Sequence, residues 1–84
     1  MPIAFSDHAK FQLKNNMKIH YDSKVDAVYI ELAKGKYEVS REISHSVVVD
    51  EDKDGRVLGI EILDAKKNIS AFDPQNTKFV IQSA

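Results

Sequence analysis

Val47 to Ala65, read V-V-V-D-E-D-K-D-G-R-V-L-G-I-E-I-L-D-A, leaves this chain few ways to fold. An apolar β-branched run enters an acidic turn ending in Asp54-Gly55, and a run alternating with period two leaves it. β-Branched side chains favour strands, and Asp-Gly is a strong hairpin signal because its glycine takes positive φ at no steric cost. The stretch therefore predicts strand, turn, strand. Leu58, Ile60 and Ile62 would form the buried face, and Asp64 would cap a short helix from Ala65 to about Ile69.

The same period runs upstream. Met17, Ile19 and Tyr21 alternate with Lys18, His20 and Asp22, the pattern of a half-buried strand. Ala27 to Leu32 predicts a second, with Val28, Ile30 and Leu32 on one face and Tyr29 and Glu31 on the other. Tyr37, Val39 and Ile43 mark a third strand, in which Arg41 breaks the pattern and is expected to lay its stem on apolar surface. Turns are expected at Asp22-Ser23-Lys24, at Lys34-Gly35-Lys36 with Gly35 at positive φ, and at Ser44-His45. Connections this short predict antiparallel neighbours in chain order.

The fold class is therefore α+β: an antiparallel β-meander of about five strands, an N-terminal helix, and a short helix after the last meander strand. Residues 1–16 are expected to be a helical extension, with Ala9 and Leu13 on one face. Residues 17–69 form the core domain, and 70–84 a turn at Asp73-Pro74 followed by an edge strand at Phe79-Val80-Ile81. An antiparallel sheet needs a cover on one face, and the two helices are expected to supply it.

Eighty-four residues make one domain with a small core, which counts against a deep catalytic pocket. The chain has no cysteine, so disulfides, thiol nucleophiles and thiolate metal sites are excluded, and a cytoplasmic setting is expected. Its longest apolar run, Ala27 to Ile30, falls far short of the ~18 residues that cross a bilayer. Residues 25–64 hold ten acidic and five basic side chains, whereas the flanks carry a basic excess. An acidic middle repels phosphate, so the main body is not expected to bind nucleic acid, and it would favour a basic partner.

M-K-I-H-Y-D at 17–22, D-A-V-Y-I-E-L at 26–32, S-R-E-I at 40–43, V-V-V-D at 47–50 and D-G-R-V-L-G-I-E-I-L-D-A at 54–65 resemble a small bacterial family of unknown function, domain-of-unknown-function family 2283. The likeness covers residues 17 to about 69. It implies a β-rich fold and no catalytic or cofactor site. P-I-A-F-S-D-H-A-K-F-Q-L-K, from Pro2 to Lys14, resembles the opening helix of a second small bacterial family, often toxin-like and encoded beside members of the first. That likeness implies pairing with a small neighbouring product.

Asp50, Asp52, Asp54, Gly55 and Glu61 match the spacing of an EF-hand calcium loop, D-x-D-x-D-G-x5-E. Calcium needs oxygen ligands from such positions together with flanking helices. Both flanks here are strand-periodic, and an extended 56–61 would place Glu61 about 20 Å from Gly55. The hairpin reading is preferred. The histidines His8, His20 and His45 fit no metal spacing, and Ser44-His45-Ser46 is a turn without triad geometry. Gly59 inside a strand signals a close approach by another group. With Val57, Glu61, Tyr29 and Val48 it would lie on a second, partly apolar face suited to self-association.

The expected function is a non-enzymatic protein-interaction module without a cofactor, a homodimer and an antitoxin-like binder of a small basic protein encoded nearby. The alternative is a cation-binding module using Asp50, Asp52 and Asp54. A small hydrolase using His8 or His45 ranks third.

Overall fold

The structure, a computed structural model, describes residues 17–83. Five strands form in chain order: β1 (Lys18–Asp22), β2 (Ala27–Glu31), β3 (Val39–Glu42), β4 (Val47–Glu51) and β5 (Val57–Ile62), followed by one helical turn, α1 (Ala65–Asn68). They build a single antiparallel sheet in the order β1-β2-β5-β4-β3. The expected N-terminal helix lies outside the described residues.

The sheet is not a meander. The β1–β2, β3–β4 and β4–β5 hairpins form as the sequence predicts, with Gly55 at φ 81 in the last. But β2 pairs with β5, and residues 32–38 carry the chain to the far edge. The Leu58 carbonyl accepts the amides of Leu32 (2.9 Å) and Ala33 (3.2 Å), and the Glu38 amide donates to the Glu51 carbonyl at 2.9 Å. These bonds fasten the connector across the start of β5 and the end of β4. Gly35 is therefore no turn glycine. A Cβ there would stand 2.7 Å from Leu58 Cδ2, so its role is close packing rather than positive φ.

Register assigns each strand residue to a face, since directly opposed residues share one. One face carries the rows Ile19, Ile30, Ile60, Val49, Arg41 and Tyr21, Val28, Ile62, Val47. It is the apolar face. Among the described residues its cover is not helical: residues 69–77 lie over the β1–β2 half, where Phe72 meets the Tyr21 ring edge-on at 5.0 Å. Arg41 stands on this face opposite Val49, and its guanidinium bridges to Glu51 at 3.0 Å.

The helix is also capped differently. Asp64 sits at the cap position with φ 50 and makes no side-chain cap bond. Asp26, in the β1–β2 turn, accepts instead: its carbonyl takes the Ala65 amide (2.9 Å) and its carboxylate the Lys66 amide (3.2 Å). The Tyr21 hydroxyl donates to the same carboxylate at 2.8 Å. A cap is worth about 1 kcal/mol, and this one also pins α1 to the sheet.

Phe79-Val80-Ile81 forms no strand, and the three residues are 74, 70 and 82% exposed. Like Val47-Val48-Val49 the triplet is strand-prone, but among the described residues it pairs with no strand, and an unpaired strand is not stable on its own. The apolar residues buried among the described ones are only Ala27, Val28, Val48, Leu58 and Ala65. No helix among the described residues is long and apolar enough to cross a membrane.

Candidate functional site

The face opposite the apolar one concentrates the polar chemistry. One row across the sheet reads Lys18, Glu31, Gly59, Asp50, Ser40, and the next reads His20, Tyr29, Glu61, Val48, Glu42. Three carboxylates here are withdrawn from solvent: Glu61 is 0% exposed, Asp50 3% and Glu31 8%. Burying a carboxylate is costly unless donors satisfy it, so the neighbouring hydroxyls and amines matter.

Gly59 is what lets the rows interlock. With no side chain between Glu31 and Asp50, the Tyr29 ring crosses β5 over it. An alanine Cβ at Gly59 would lie 2.1 Å from the Tyr29 hydroxyl. The predicted close approach at Gly59 is thus made by a phenol. The Tyr29 hydroxyl bonds to the Asp50 carboxylate. Asp50 Oδ1 also accepts from Ser40 Oγ at 2.7 Å. Because the Ser40 proton is committed to Asp50, the Tyr37 hydroxyl donates to Ser40 Oγ at 2.8 Å.

At the other end of the first row, Glu31 receives Lys34 from the crossing connector and His20 Nε2 at 3.0 Å. Burial first, then the ammonium charges of Lys18 and Lys34, hold the His20 imidazole below its ordinary value. The ring is therefore neutral near pH 7 and donates an N–H to a carboxylate that Lys34 already compensates. Contact of His20 with Tyr29, ring centroids 6.3 Å apart, joins the two ends.

The family model described as "Protein of unknown function (DUF2283)" matches residues 18–66, more than half of the chain. This chain belongs to the DUF2283 family. No curated protein and no solved structure matches it. The DUF2283 match runs from β1 into α1, so it spans the whole sheet and both polar rows.

Asp50, Asp52 and Asp54, the residues of the calcium-loop pattern in this DUF2283 chain, do not converge. Asp50 points into the polar face. Asp52 Oδ1 accepts the amides of Asp54 and Arg56, both at 2.9 Å, and closes the hairpin. The Arg56 amide, then the Asp54 amide and the Arg56 and Lys53 charges, hold Asp52 below the usual carboxylate value against the opposing effect of burial. Asp54 is exposed, 3.8 Å from the Arg56 guanidinium. Among the described residues no group of three or more His, Asp or Glu is placed to hold a metal ion. His45 is exposed in the β3–β4 turn, and His8 lies outside the described residues.

Sequence reasoning placed Gly59, Glu61, Tyr29 and Val48 on one face, as observed, but expected that face to be partly apolar. It missed Asp50, which the acidic run had assigned to the turn. Val57 leaves the row because the register slips between Asp50 and Glu51 and pairs Val57 with Glu51.

Burial first, then the Asp50 charge and hydrogen bond and the Glu61 charge, push the Tyr29 hydroxyl up to about 12. Its folded value exceeds the ordinary 10.0, so its contribution to stability is complete below pH 10 and is lost as pH rises through about 12. Tyrosinate absorbance is expected to show a phase near 12 that Tyr29→Phe removes. Completion of all tyrosine titration near 10 in the folded protein would refute the buried contact.

Proposed function

We propose that this DUF2283 chain is a non-enzymatic protein-interaction module whose partner is a second copy of itself, docked on the apolar sheet face. The observation that carries this is the half of that face toward β3. Among the described residues, Val47, Val49 and Ile60 stay half-buried and Val39, Ile43 and Val57 are exposed. Apolar sheet faces pair at about 10 Å separation, and such pairing would complete a core that the single chain leaves thin. The charges on this half, Arg41 and Glu51, neutralise each other, so it does not repel its own copy.

An acidic surface aimed at a basic protein has less support. Of the ten acidic side chains in residues 25–64, Glu31, Asp50 and Glu61 are buried, which leaves seven against five basic ones. Binding rather than catalysis is favoured by the state of the titratable groups. Tyr29 keeps its proton far above neutral pH, and His20 is engaged with Glu31.

Sedimentation of the chain at micromolar concentration is expected to give twice its 9.5 kDa mass. Val49→Asp should return it to a monomer with its sheet signal intact. A wild-type chain that stays monomeric at high micromolar concentration sinks the proposal.

A further inference from the structure

At the two central strands the polar face is more deeply covered than the apolar one. Val48 and Glu61 stand opposite each other on β4 and β5 and are 7% and 0% exposed. Val49 and Ile60, paired on the same two strands but on the other face, are only half-buried. Both pairs have the same strands beside them, so the difference arises from what lies over each face. Neighbours in a sheet screen the flanks of a side chain, and a glutamate sealed to its tip needs a layer above it. Among the described residues, the segments outside the strands are anchored elsewhere. The α1 turn is tied to Asp26, the connector to Glu31, Leu58 and Glu51, and residues 69–77 lie over the apolar face.

We infer that the layer over Val48 and Glu61 is the chain's own N-terminal segment, residues 1–16, which lie outside the described residues. Reach, charge and pattern select it. The segment joins β1 at Met17, and in the order β1-β2-β5-β4 the Val48–Glu61 pair lies two to three strands away, about 10–14 Å. Sixteen residues wound as the predicted helix span about 24 Å, which covers that distance. The two polar rows carry Glu31, Asp50, Glu61 and Glu42 against Lys18, with Lys34 added from the connector. The segment brings the opposite sign, Lys10 and Lys14 against Asp7. Phe5, Ala9 and Leu13, spaced by four, give it an apolar stripe for Val48 and the Tyr29 ring, and a helix this short needs such a seat to form. The DUF2283 match begins at Lys18, so the surface belongs to the matched domain and its occupant to a stretch outside the match.

The test uses the full chain and two single cysteines, which can be placed freely because the chain has none. Arg41 and Glu42 are exposed neighbours on β3, Arg41 on the apolar face opposite Val49 and Glu42 on the polar face opposite Val48. A nitroxide on Glu42→Cys is expected to weaken the amide resonances of residues 1–16 severalfold. The same label on Arg41→Cys should leave them at full intensity. Leu13→Asp, which puts a charge into the stripe and changes no described residue, should restore the signals weakened from Glu42→Cys. Weakening from the Arg41→Cys label, from neither label, or undiminished in Leu13→Asp overturns the inference. Nitroxide-bearing chains mixed with isotope-labelled chains that lack the nitroxide should leave the labelled signals intact. Weakening there would seat the segment on a second copy and also overturn it. The proposed self-association uses the other face, so a monomeric wild type refutes that proposal and leaves this one standing.

Discussion

Gly59→Ala is expected to lower stability by about 3 kcal/mol, through overpacking and the loss of a buried hydrogen bond. For a domain of this size that corresponds to a fall in Tm of roughly 12–24 °C. The added methyl would meet the Tyr29 hydroxyl at 2.1 Å, the carbon bearing it at 2.4 Å and a ring carbon at 2.8 Å. All three distances are far inside van der Waals contact, and the ring cannot tilt away without giving up its bond to Asp50. Gly59 is not in a left-handed conformation, so backbone strain plays no part and the cost arises from the ring alone. Placing alanine at Gly59 in a Tyr29→Leu background, where no side chain reaches over β5, should cost less than about 1 kcal/mol. Thermal melts of the four proteins in this cycle measure the coupling. A single variant within about 0.5 kcal/mol of wild type would falsify the interlock.

The strand content was legible because period-two alternation is a local property: β1, β2, β4 and β5 appear where their residues place them. The strand order was not. Lys34-Gly35-Lys36 has the chemistry of a tight turn, and only the long-range claim of β5 on β2 converts it to a crossing. That claim depends on which apolar run gains most from two neighbours, and Val57–Ile62 gains most with Leu58, Ile60 and Ile62. The cap of α1 was hidden for a similar reason, since Asp26 and Lys66 stand 40 residues apart. Gly59 did announce the polar face, because an interior strand glycine implies a visitor. The identity of the visitor required the register that sets Tyr29 opposite Glu61, diagonal to Gly59. The EF-hand pattern matched in letters but not in shape, because β4 runs through Asp50 and ends at Glu51, so the pattern's first aspartate is a strand residue and the next two lie in the turn. Asp50 is thereby sent inward while Asp52 stays in the turn.

The two faces do different work. The polar face has one correct register, since a slip by one residue would move Asp50 and Glu61 to the apolar side and leave Tyr29 without its slot. Buried polar groups of this kind contribute specificity more readily than net stability. The apolar face has the opposite character: its contacts are non-directional, and it is the face on which self-association is proposed.

Asp50→Ala is expected to cost about 2–3 kcal/mol, because it removes one charged acceptor from two hydroxyl donors at once. Ser40 Oγ would lose its 2.7 Å acceptor, and with it the order that passes to the Tyr37 hydroxyl. Tyr29 would lose its partner while its ring stayed half-buried over Gly59. Asp50→Asn has a different outcome. Its amide oxygen still accepts from the hydroxyls, so the loss should be about 1 kcal/mol, the difference between a charged and a neutral acceptor. The charge is gone in either variant, so the Tyr29 hydroxyl should titrate below about 12. It should nevertheless stay above the ordinary 10.0, because burial, the largest cause of its shift, remains. Chemical denaturation together with tyrosinate absorbance separates the effects: alanine greater than asparagine in stability, and both lowering the titration of Tyr29. Equal destabilisation by the two variants with Tyr29 unmoved would mean that Asp50 acts through packing alone and that the bond across Gly59 contributes nothing.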